Sequence, residues 1–112
     1  MSEEFKQIST ANGFMKHNGG ILFRAISENE YEFKTKINEN HLNNAKIVHG
    51  GFIAALTDAG VGTAAHRATG ENICVTISLE LKFISQVKLD QELSGDIRRF
   101  LYAEFTRFEL FL

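Results

Sequence analysis

The sequence predicts an α+β domain in which an antiparallel sheet packs around one long helix, and three stretches carry that prediction. Residues 21–37 alternate in polarity around a short turn, as a hairpin does; residues 50–67 are almost wholly apolar or small; residues 73–83 alternate again as a long strand. A hairpin, one buried helix and then a run of strands is the order of a sheet covered on one face by a helix.

Each element follows from its local pattern. Residues 3–11 predict a short leading helix, and Asn18-Gly19-Gly20 marks a turn. ILFRAIS (21–27) reads as a strand. Glu28-Asn29-Glu30 turns the chain into YEFKTKI, where Tyr31, Phe33, Thr35 and Ile37 alternate with Glu32, Lys34 and Lys36. The Asn-rich stretch 38–48 predicts a polar loop before the helix. Gly70 is suited to ending that helix. In ICVTISLELKFI, Ile73, Val75, Ile77, Leu79, Leu81 and Phe83 share one face, and Leu93–Phe100 and Leu101–Leu112 read as further strands. From Asp96 to Leu112 there is no Gly, Pro or Asn, so any reversal in the tail lacks the usual turn residues. The chain reads as one domain, residues 1–112, with those last strands shortened or altered.

Composition excludes several classes of function. A net charge of −2 without a basic run argues against nucleic acid. No stretch reaches the roughly 20 apolar residues that span a bilayer, and the acidic start MSEEFKQ does not read as a targeting peptide. A single cysteine, Cys74, excludes an internal disulfide and suits a reducing, cytoplasmic setting. Four scattered histidines without a Cys-x-x-Cys pair give no zinc pattern, so neither metal nor organic cofactor is expected.

The chemistry concentrates between Asn43 and Thr76. Within the stretch from Gly50 to His66, Asp58 is the single formal charge, and small or apolar residues (Ala54, Ala55, Val61, Gly62, Ala65) surround it on the helical wheel. A helix apolar all round is expected to be buried, and a buried carboxylate needs either hydrogen-bond partners or a chemical task. Gly50 and Gly51 fall in the first helical turn, where backbone N–H groups lack partners and the dipole is positive. Such a terminus can stabilise an oxyanion, although a Gly-Gly pair also serves simply for close packing. A paired structural role remains open for Asp58, a plain strand role for Thr76, and a turn role for Asn43.

The pattern Asn-x5-His-Gly-Gly-x6-Asp, with Thr76 eighteen positions beyond the Asp on a long alternating strand, resembles the hotdog-fold acyl-CoA thioesterases. Within that family the pattern resembles the phenylacetate-pathway and thioesterase-superfamily-member-2 group, over roughly residues 12–97. The resemblance implies a sheet wrapped around a central helix and hydrolysis of an acyl-CoA thioester to free acid and CoA. Asp58 would be nucleophile or general base, Gly50 and Gly51 the oxyanion hole, and Thr76 the group orienting water or the carboxylate. Asn43 would fix the thioester or the loop, with His49 hydrogen-bonding across the site in support of Asn43 or the helix start. Three departures stand out: Lys46 where the group usually carries Gly, Gln86 where it often carries Pro, and a tail where family members usually run about two dozen residues further.

Geometry adds a separate expectation. Gly51 and Asp58 lie roughly 10 Å apart along one helix axis, too far for both to act easily on one carbonyl carbon. Two antiparallel helices related by a two-fold axis would bring Gly50 and Gly51 of one chain opposite Asp58 and Thr76 of another, so a homodimer or dimer of dimers is expected. Lys46, Arg67, Lys82, Lys88, Arg98 and Arg99 are candidate contacts for CoA phosphates, but each is more often a solvated surface charge and none is assigned to the site. A hotdog hydratase or dehydratase, and a non-catalytic acyl-CoA-binding module, are the competing readings.

Overall fold

The computed structural model describes residues 3–76, 86–101 and 106–111. Its sheet contains β1 (Lys6–Ile8), β2 (Ile21–Ser27), β3 (Glu30–Lys36), β4 (Glu92–Leu101) and β5 (Thr106–Phe111), all antiparallel and in chain order. A short helix α1 (Phe14–His17) precedes β2, and α2 (Gly50–Ala68) lies against the sheet, touching β2 to β5. This is the predicted α+β layout.

Period-two patterning builds the core. Along β3, Tyr31, Phe33 and Thr35 face inward while Glu32 and Lys34 face out. Phe23 pairs with Phe33 across the ladder, and Ile97 of β4 pairs with Tyr31. From α2, Phe52, Ile53, Leu56 and Ala64 complete the cluster. Phe33 has no exposed surface; burying such a ring contributes about 2–3 kcal/mol. Its ring lies directly under Gly60, where a Cβ would come within 2.5 Å of Phe33 Cδ2. Gly60 therefore sets how closely α2 approaches β3.

The outer face of the sheet is polar. Arg24 Nε donates to Glu32 at 2.6 Å, Lys34 and Arg98 approach Glu92 and Glu30, and Arg24 and Lys34 each stand 4.3 Å from the centre of the Phe5 ring. The charged heads of both side chains lie over the Phe5 ring in a cation–π arrangement.

Several expectations change. The stretch 3–11 forms no helix: Lys6, Gln7 and Ile8 pair with Phe23, Leu22 and Ile21, because the edge of β2 offers unsatisfied backbone groups that a short polar helix does not. Within the Asn-rich loop, residues Glu39–His41 make a 3-10 turn capped by Asn38. Beyond α2, residues 72–76 make no strand pairs, and Ile73 and Val75 are 92% and 85% exposed instead of facing a core. The rest of that expected strand, 77–84, lies outside the described residues. The tail does reverse: β4 and β5 pair antiparallel through six residue pairs without Gly, Pro or Asn in either strand beyond Gly95. Among the described residues, no helix is long and apolar enough to cross a membrane.

Candidate active site

The start of α2 is organised by two histidines. His49 is its N-cap, with extended backbone at φ −63° and ψ 129°, and its Nδ1 accepts the Gly51 N–H at 2.8 Å. This is the role Ser or Asp plays at most helix starts. The Gly51 amide is therefore already bonded. Gly50 N–H has no partner among the described residues and is the free backbone donor of the pair.

Asn43 shapes the loop that delivers this helix. Its Oδ1 accepts from Ala45 N at 2.9 Å and Ile47 N at 3.4 Å, and its backbone N–H donates to Ile47 O at 2.8 Å. The turn function considered for an Asn-rich loop is thus present, while the Nδ2 donor has no partner among the described residues. Asn43 and His49 line one open recess together with Leu42, Asn44 and Ala45. Lys46, at the group's usual glycine, holds φ at +64°, the left-handed conformation glycine adopts without strain.

Asp58 sits two turns along α2, and here the helix departs from the sequence reading. The helix is not buried all round. Its Phe52, Ile53, Leu56, Gly60 and Ala64 positions face the sheet, whereas Asp58 is exposed in the single protomer. One sheet can cover only one side of a helix, and the remaining side carries Ala54, Ala55, Val61 and Gly62 around the carboxylate, all only partly covered. Asp58 does find a partner: the Thr76 hydroxyl donates to its Oδ1 at 2.5 Å. The structure thus brings Asp58 and Thr76 together, and His49, Gly50, Gly51 and Asn43 together, as two groups separated along α2.

The end of the helix is tied separately. Gly70 has φ +71°, Glu71 N–H donates to His66 O at 2.7 Å, and His66 Nδ1 lies 3.0 Å from Asn72 O. Arg67 is engaged by Glu3 at 2.6 Å, so it is not an idle cation awaiting a phosphate. Among the described residues, no His, Cys, Asp and Glu side chains gather as a metal site requires. Phe52 turns into the core, its ring stacked on that of His41. Nothing in the sequence marks His41, a histidine in a polar loop, as a residue of this region. The one available signal is its place two residues before Asn43.

Against this geometry, comparison with known families gives one result. Residues 45–98 match the thioesterase superfamily. The match covers His49, Gly50, Gly51, Asp58 and Thr76 together with α2 and most of β4, and begins two residues after Asn43. The antiparallel sheet and single long helix described above are consistent with the hotdog fold of that superfamily, and thioester hydrolysis is the general class of reaction the match suggests. No individual curated protein matches the chain.

Proposed function

We propose that the protein hydrolyses an acyl-CoA thioester, with Asp58 as nucleophile or as the base that activates water. The hydrogen bond from Thr76 to Asp58 Oδ1 carries this reading, because it fixes one carboxylate oxygen and leaves the other to act. The Gly50 N–H, free at the positive end of α2, would polarise the thioester carbonyl. His49 would hold the Gly51 amide in place, and Asn43 Nδ2 would donate to the substrate from the same recess.

The site would be shared between two copies of the chain. Gly50 and Asp58 are eight residues apart, roughly 12 Å along the axis, and cannot easily flank one carbonyl carbon within a protomer. A second copy laid antiparallel over the uncovered side of α2 would place one helix start opposite the other chain's Asp58. The same docking would cover the small-residue surface around Asp58, and Ile73 and Val75, exposed at 92% and 85%, are apolar surface available to such a contact.

The test is thiol release across a panel of acyl-CoA esters, with Asp58→Asn beside the parent. Turnover lost with acyl-CoA binding retained supports the hydrolase. Binding without any turnover in the parent would make the protein a non-catalytic acyl-CoA module. Light scattering tests the shared site, and an active monomer would refute it.

A further inference from the structure

We infer that His41, a residue in contact with no substrate, is the positioning residue that sets the start of α2. Its ring is 1% exposed and is held on three sides. Nδ1 accepts Asn38 N–H at 3.1 Å, which leaves the proton on Nε2, and Nε2 donates to Asn18 O at 2.5 Å. The ring stacks on Phe52 in the first turn of α2, with centroids 3.8 Å apart and planes 11° from parallel. The His41 carbonyl then accepts the backbone N–H of His49 at 2.8 Å. One residue therefore joins the turn before β2, the end of β3 and the two residues that open the helix.

The consequence lies at His49. Its imidazole can reach Gly51 N–H only if its own backbone is held at the extended N-cap conformation, and the His41 carbonyl is the anchor of that backbone. The ring is crowded where it sits, since a Cβ on Gly19 would stand 3.3 Å from His41 Nε2. A side chain this confined transmits its position to its neighbours. Loss of the two ring hydrogen bonds would leave Asn18 O and Asn38 N–H unpaired and free the loop to shift. The helix start would then lose the alignment on which the Gly50 donor depends.

This inference rests on the hydrolase reading for its effect on turnover, but not for its effect on the cap. Two variants test it. His41→Phe keeps the stack on Phe52 and removes both ring hydrogen bonds; His41→Gln keeps a donor and an acceptor without the ring. In folded His41→Phe, amide exchange at Gly51 is expected to speed by about tenfold while Leu56 in mid-helix is unchanged. With the preferred acyl-CoA ester, kcat is expected to fall on the order of 10²-fold with KM nearly constant, and His41→Gln to recover part of both losses. If the parent releases no thiol, the hydrolase reading fails, and Gly51 exchange alone still decides the role of His41. Unchanged Gly51 exchange in folded His41→Phe would overturn the inference. So would failure of both variants to fold, which would make His41 a general fold determinant.

Discussion

Thr76 donates its hydroxyl to Asp58 Oδ1 at 2.5 Å, tying the segment after α2 to a carboxylate eighteen residues earlier in the chain. Both residues are exposed in one protomer, so the bond does little for stability and much for orientation. Replacement by Val keeps the shape and deletes the donor. Thr76→Val is expected to lower kcat for thioester hydrolysis on the order of 10²-fold, and to shift unfolding by no more than about 0.5 kcal/mol. Thr76→Ser, which keeps the hydroxyl, should retain most activity. Steady-state kinetics with a chemical denaturation series on each variant makes the comparison; a Val variant as active as the parent would remove Thr76 from the site.

Lys46 adopts φ +64°, a left-handed conformation, on the loop that presents the helix start. That conformation costs a residue with a Cβ about 1–2 kcal/mol, and the added freedom of an unfolded glycine returns roughly 0.5–1 kcal/mol of this. Lys46→Gly is therefore expected to raise stability by about 0.5–1 kcal/mol, while Lys46→Ala gives no such gain. Denaturant midpoints at constant m-value check both.

Gly60 admits no side chain. A Cβ there would stand 2.5 Å from Phe33 Cδ2 and 2.9 Å from two further ring atoms, and Phe33 is fully enclosed. Overpacking of about 1–3 kcal/mol outweighs the helix-propensity gain of up to ~1 kcal/mol. Thermal unfolding should show Gly60→Ala destabilised by about 1–2 kcal/mol.

Asp96 faces Glu32 across the β3–β4 ladder. Loss of water around its carboxyl, then the charge of Glu32 and a hydrogen bond shared with it, hold Asp96 above its ordinary value of 3.8, against the pull of Arg98. An acid that keeps its proton more readily when folded gives the folded state the larger number of bound protons. Its contribution to stability therefore falls as pH rises from the ordinary Asp value through the raised one. Asp96→Asn, uncharged throughout, should be more stable than the parent at neutral pH and equal to it well below 3.8. Unfolding curves at several pH values test this; a constant difference would show that Asp96 is not the titrating group.

The elements whose partners are implied by their own periodicity are legible in the chain. β2, β3, α2 and the paired tail strands follow from alternation at Ile21–Ile37, from the uncharged run around Asp58, and from the pattern after Leu93. β1 is not legible, because Lys6–Ile8 becomes a strand only through the edge of β2, and nothing local distinguishes it from a frayed helix. The surroundings of Asp58 were half legible: a helical wheel gives the neighbours of a carboxylate but not which side the sheet covers. The resemblance pointed to His49 as a hydrogen-bonding residue supporting Asn43 or the helix start, and it is the Gly51 N–H at that start that its ring takes. His41 was hidden altogether, since its partners Asn18 and Asn38 are common turn residues.

Among the described residues, strands that neighbour one another in the sheet are also consecutive in the chain, and three of the four described pairings join strands close in sequence. The exception is β3 with β4, where Lys36 meets Glu92 across the whole of α2. Closing that loop carries the largest loop-closure entropy among the described pairings. Substitutions along the seam from Thr35 and Leu93 to Tyr31 and Ile97 are therefore expected to slow refolding, whereas changes in the β2–β3 turn would chiefly hasten unfolding; stopped-flow folding and unfolding rates make the comparison.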